Sequence, residues 1–128
     1  MFTIDVDDRI AVYSHKGPLF PDDVLNFYSA LQAHPDYSED IAVVYDFRDA
    51  NLEPICTAEM KFFMEQHALR PGLFVRNAAF VAEKELEFGT CRMWLAYATN
   101  LPSINRMVFR SFSQARNWLI SLRNDSSA

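Results

Sequence analysis

The hydrophobic pattern of this chain changes period several times. Phe2-Thr3-Ile4-Asp5-Val6 alternates apolar and polar residues, the mark of a strand with one buried face. Asp7-Asp8 reads as a turn. Ile10, Val12 and Ser14 carry a second alternating run up to Gly17-Pro18, so the two runs predict an antiparallel hairpin. Residues 41–47 (IAVVYDF) and 78–82 (AAFVA) differ. Apolar residues run almost unbroken there, as in central parallel strands covered on both faces. Met107-Val108-Phe109 is a last short strand.

Between these runs the period lengthens to that of a helix. Pro21-Asp22-Asp23 suits a first helical turn, and Val24, Phe27, Tyr28 and Leu31 then share one face until His34-Pro35-Asp36 stops it. After a loop from Arg48 to Cys56, Thr57 can cap a second helix with the inner stripe Met60, Phe63, Met64 and His67, broken by Pro71-Gly72. A third helix is predicted from about Leu86 to Thr99, with Phe88, Cys91, Trp94, Leu95 and Ala98 as its core stripe. Ser111 with Gln114 makes a capping-box pattern, and Phe112, Ala115, Trp118, Leu119 and Leu122 form the buried stripe of a fourth helix, with Trp118 as a core anchor. The order is β-β-α-β-α-β-α-β-α. It predicts a single α/β domain over residues 1–124, with a mostly parallel five-stranded sheet, four helices and the first strand antiparallel. Residues 125–128 read as a frayed tail.

Composition narrows the class. The 128 residues are 50% hydrophobic and include eleven Phe, enough for a core without staples. The apolar runs are too short to span a membrane, and the acidic, alternating start is unlike a signal peptide, so a cytoplasmic location is expected. Cys56 and Cys91 make neither a disulfide framework nor a metal spacing. The net charge is −5 but uneven: from Phe88 onward five Arg face one acid, Asp125, leaving −9 on residues 1–87. The acidic balance disfavours nucleic acid. The asymmetry suits a head-to-tail contact or an anionic partner.

The element order, Val44-Tyr45-Asp46-Phe47-Arg48, Phe88-Gly89-Thr90-Cys91-Arg92-Met93 and the closing Val108-Phe109-Arg110 with Ala115-Arg116-Asn117-Trp118-Leu119 carry a resemblance. The chain resembles the small bacterial SpoIIAA-like proteins, whose fold is shared with STAS domains and likened to the lipid-binding lobe of Sec14 (CRAL-TRIO) proteins. The resemblance implies a binding or regulatory module rather than an enzyme. Anti-sigma-factor antagonists of the STAS group carry a phosphorylatable serine in an Asp-Ser-Ser-Gly-like motif at the matching helix start. Here that stretch is Ile55-Cys56-Thr57-Ala58-Glu59-Met60, with Cys56 at the Asp, Thr57 at the serine and no glycine. A phospho-switch at Thr57 is therefore a minor reading.

No residue set reads as catalytic. His15, His34 and His67 lie in different elements, and there is no glycine-rich phosphate loop, nucleophile elbow or metal-ligand cluster. No cofactor or metal is expected. Two places remain. Asp46, Arg48 and Asp49, with Thr57 after them, stand where open α/β folds bind ligands, at the carboxyl ends of the parallel strands. Phe62, Met93 and Tyr97 fall off the core stripes of the second and third helices, an apolar surplus that must be covered by something. That stripe suits a protein partner or a second copy of the chain. In the alternative reading, Phe62, Met64, Met93, Trp94 and Tyr97 line a cleft for a small hydrophobic, lipid-like ligand, with at most peripheral membrane contact.

Overall fold

The computed structural model describes residues 2–55, 75–98 and 105–126. Two strands, β1 (Phe2–Asp7) and β2 (Ile10–His15), pair antiparallel about Asp8 and Arg9. Both turn residues have positive φ, 53° and 60°, as a two-residue turn matching the strand twist requires. β2 then pairs parallel with β4 (Ala42–Asp46), β4 with β6 (Asn77–Val81), and β6 with β7 (Asn105–Phe109), giving the order β1-β2-β4-β6-β7. The loop expected after β4 holds more order than its composition suggests. β3 (Gly17–Pro18) and β5 (Ala50–Asn51) form a small parallel pair, followed by a 3₁₀ turn at Glu53–Ile55.

Three helices are described: α1 (Pro21–Gln32), α2 (Glu85–Ala98) and α3 (Phe112–Ser126). The helix expected from Thr57, with Met60, Phe63, Met64 and His67, lies outside the described residues, as does Cys56. Pro21 occupies the first position of α1, and the Asp23 carboxylate accepts the backbone N–H of Phe20 at 2.8 Å. Ser111 Oγ accepts the Gln114 N–H at 3.3 Å at the start of α3, which runs on to Ser126, past the point where fraying was expected.

The unbroken apolar runs are explained by two cores. Val43 and Tyr45 of β4 and Ala78 and Phe80 of β6 face one side of the sheet, where Phe27, Tyr28 and Leu31 of α1 and Cys91 and Trp94 of α2 join them. Ala42, Val44, Ala79 and Val81 face the other side, under Ala115 and Leu119 of α3. A strand sandwiched this way has no polar face to show. β1 lies at the sheet edge and keeps its alternation: Phe2, Ile4 and Val6 pack on the first core, while Thr3, Asp5 and Asp7 are exposed.

Trp118 departs from its expected role. It is half-buried, 5.7 Å from the Phe109 ring, while Ala115 and Leu119 hold the centre of the second core. α3 lies over β4, β6 and β7, so its stripe is split by the sheet edge. Leu119 falls inside that edge and Trp118 reaches over β7.

The charge asymmetry is met within the chain. Arg116 pairs with Asp7 at 3.5 Å, and Arg123 with Asp8 at 3.2 Å. Arg110 pairs with Glu85 at 3.2 Å. The basic last quarter thus folds back on the acidic hairpin and on α2, so part of the asymmetry is balanced within the chain. These pairs are exposed, so each contributes at most about 1 kcal/mol.

Phe27 is fully buried among Phe2, Tyr13, Tyr28 and Tyr45. Phe27→Ala is expected to cost about 3–5 kcal/mol, and Trp118→Ala clearly less. Urea denaturation of both variants checks this; equal losses would contradict the split between core and edge.

Candidate functional site

The carboxyl ends of β2, β4, β6 and β7 meet at one rim, where each parallel strand hands its chain to a loop. Phe47 N–H donates to Val81 O at 2.9 Å and Ala82 N–H to Phe109 O at 3.0 Å, so the pairing continues one residue into the loops. Gly17 N–H donates to Asp49 O at 3.1 Å and Leu19 N–H to Asn51 O at 2.9 Å, which fastens the loop after β4 beneath the start of α1. Leu52 N–H in turn donates to the buried Glu87 carboxylate at 3.2 Å, tying that loop to α2.

On this frame Asp46 and Arg48 come together. Arg48 Nε and Nη2 donate to the two Asp46 carboxylate oxygens at 2.9 and 2.8 Å, and the Arg48 backbone N–H adds a third bond at 3.2 Å. Asp46 is 13% exposed and Arg48 40%. The carboxylate bonds raise the guanidinium's pKa further. Arg48 also lies 5.4 Å above the Phe112 ring. Arg110 repeats the arrangement: it donates to Glu83 O at 2.8 Å and sits 4.1 Å from the Phe88 ring centroid. Asp49 takes part through its carbonyl, and Thr57 lies outside the described residues.

Of the apolar stripe, the side chains of Trp94 and Met93 lie among the described residues. Trp94 is only 4% exposed, edge-on to Phe47 and Phe80 at 6.0 and 5.9 Å, so it belongs to the first core and not to a surface cleft. Its Nε1–H is buried and has no hydrogen-bond partner among the described residues. Met93 packs half-buried against the same core. Phe62 and Met64 lie outside the described residues, and the Tyr97 side chain does too.

His15 is fully buried and structural. Its Nε2 is 2.9 Å from the Pro18 carbonyl, which can only accept, so Nε2 carries the proton and Nδ1 accepts from the Tyr13 hydroxyl at 3.0 Å. Tyr28 and Tyr45 join their hydroxyls at 2.7 Å. Among the described residues no three His, Cys, Asp or Glu side chains gather as metal ligands. No described helix is long and apolar enough to cross a membrane.

Two residues that the pattern reading did not single out stand at this rim. Phe20 is 54% exposed just before α1, and Leu86 is 48% exposed in the first turn of α2. Both carried a signal. Phe20 occupies an N-cap position that favours Ser, Thr, Asp or Asn, and Leu86 is apolar between Glu85 and Glu87, off the stripe of Phe88 and Cys91. A second opening, about 600 Å³, lies at the amino ends of β4 and β6, lined by Arg9, Arg76, Arg123, Ile41 and Leu119. Arg9 is paired there with Asp40 at 2.7 Å.

With this geometry, the architecture is that of a SpoIIAA-like fold, the class that includes STAS domains. A crystal structure of an uncharacterised DUF3478-family protein with a SpoIIAA-like fold, from Shewanella loihica PV-4, superposes with a TM-score of 0.56 at 15% identity, over 93% of this chain and 92% of that one. An anti-sigma factor antagonist from Mycobacterium paratuberculosis superposes with a TM-score of 0.53 at 13% identity, over 94% and 93%. At such identities the likeness is one of fold. No protein-family model and no curated protein matches the chain.

Two outcomes follow from burial. Tyr13, Tyr28 and Tyr45 have pKa values raised above the ordinary phenol value, chiefly by burial. The folded state therefore holds their protons longer than the unfolded chain does. The contribution of these tyrosines to stability should be flat below about pH 10 and fall above it. Urea midpoints across that range test this, and Tyr45→Phe should soften the fall. Burial also pushes the Cys91 thiol up, so peptide mapping after iodoacetamide at pH 8 should find Cys91 unlabelled in the native protein and labelled in urea.

Proposed function

We propose that this protein is a non-enzymatic, STAS-like regulatory module that acts by binding another protein on the carboxyl-end rim. The observation that carries the reading is the placement of Phe20 and Leu86. Two large apolar side chains stand about half exposed at the rim, among the acids Asp22, Glu83 and Glu85. The polar groups beside them are already used. Asp46 holds Arg48, and Arg110 holds the Glu83 carbonyl and the Glu85 carboxylate, so both of these arginines are engaged within the chain. Apolar anchors inside an acidic border fit a partner with a hydrophobic patch and a basic margin. That a superposing structure is an anti-sigma factor antagonist supports the regulatory class.

The hydrophobic-ligand reading loses two of its lining residues, since Trp94 and Met93 pack into the core. No described residue favours it over a protein partner.

Phe20→Glu with Leu86→Glu is expected to leave stability within about 0.5 kcal/mol, because both side chains are exposed. The parent chain used as bait identifies the binder, and titration of that recombinant binder against parent and double variant measures the loss. Weakening of more than about tenfold is expected from removing two apolar anchors. Equal affinities would place the interface elsewhere.

A further inference from the structure

The two edges of the sheet are unlike. At β1 the exposed Asp5 and Asp7 stand on the α3 side, and a row of carboxylates discourages any added strand. β7 has no such guard. On its α3 side lie Asn105, Met107 and Phe109, with Met107 45% exposed and Phe109 backed by the half-buried Trp118. On the other side lie Val108 and Arg106. The Arg106 guanidinium is folded back on the carbonyls of Val75 at 2.8 Å, Asn105 at 3.0 Å and Arg76 at 3.3 Å, so its charge does not project from the edge.

The backbone direction follows from the ladder. Asn105 N–H donates to Arg76 O at 2.8 Å, and Phe109 O accepts from Ala82 N–H at 3.0 Å, both toward β6. Residues 105, 107 and 109 therefore turn their peptide groups inward. Arg106 and Val108 turn theirs outward, with no partner among the described residues.

We propose that the open edge of β7 pairs antiparallel with β7 of a second copy, about a two-fold axis at Met107, joining two five-stranded sheets into one. In this register Arg106 of each copy lies opposite Val108 of the other. Each such pair exchanges two backbone hydrogen bonds, so all the outward groups of these residues are satisfied. The two Met107 residues meet as a close, non-hydrogen-bonded pair, roughly 4.5 Å between Cα atoms, beside Phe109 and Trp118. A second copy fits better than the rival strand, β1. Pairing β7 with β1 would set Asp5 and Asp7 against Met107 and Phe109 and would build an open chain of molecules, whereas self-pairing closes after two. This edge is separate from the rim proposed for the partner, so either proposal can fail alone.

The test is the solution mass of the full chain by light scattering and sedimentation. The parent should approach twice its 14.8 kDa at high concentration and dissociate on dilution. Amide exchange of Arg106 and Val108 should slow as concentration rises. Val108→Pro removes an outward N–H without touching the β6 ladder, and Met107→Lys puts like charges at the axis. Each should weaken association by more than about tenfold with an unchanged circular-dichroism spectrum. Should Val108→Pro not fold, Met107→Lys decides. Phe20→Glu with Leu86→Glu should leave the dimer intact. A parent that stays monomeric at its highest soluble concentration overturns the proposal, as does a folded Met107→Lys variant that dimerises like the parent.

Discussion

Burial of β4 and β6 on both faces is the constraint from which the rest of this structure follows. Their residues have no polar side to turn to water, so helices must cover each face. α1 and α2 take one and α3 the other. The first face is the larger and is built from rings: Tyr13 lies 4.4 Å from Phe27, and Tyr45 stacks on Phe80 at 4.9 Å. Each fully buried large side chain contributes roughly 1.5–3 kcal/mol. The hydroxyls these rings bring with them are paired, Tyr28 with Tyr45 and Tyr13 with His15, which avoids the cost of burying them alone.

With the faces used for packing, the ends and edges of the sheet are left for contact with other molecules. At the carboxyl ends the charged groups are absorbed locally. Asp46 and Arg48 close on each other, and Arg110 clasps the start of α2. What the rim presents outward is Phe20 and Leu86 in an acidic border. The edges differ for the same reason that they differ in sequence. β1 can carry acids because its outer face is uncovered, whereas β7 lies partly under α3 and carries apolar side chains there.

The architecture is shared with an anti-sigma factor antagonist and with an uncharacterised SpoIIAA-like protein, at 13% and 15% identity. A fold of this kind fixes where loops and strand ends gather. It does not choose what they bind. The case for a protein-binding role therefore rests on the side chains at the rim and not on the superposition.

Among the described residues, the sequence by itself determined the order of the five main strands and three helices, because alternation, continuous apolar runs and helical stripes are local signals. The hairpin, the double-faced strands, the core positions Phe27, Tyr28, Leu31 and Cys91, and the Ser111 cap were all legible there. So was the proximity of Asp46 and Arg48, two residues apart on one strand end. What it did not contain was how far each helix is wrapped by its neighbours. A helical wheel separates two sides of α2 but cannot show that Met93 packs against the same core as Trp94, or that Leu119 is buried while Trp118 is only half-buried. Nor does local pattern reveal that Arg116 and Arg123 reach back to Asp7 and Asp8, or that Phe20 and Leu86 share one rim, since those contacts join residues far apart in the chain. Such pairings exist only once the strands are ordered in the sheet, and that ordering is a property of the whole fold.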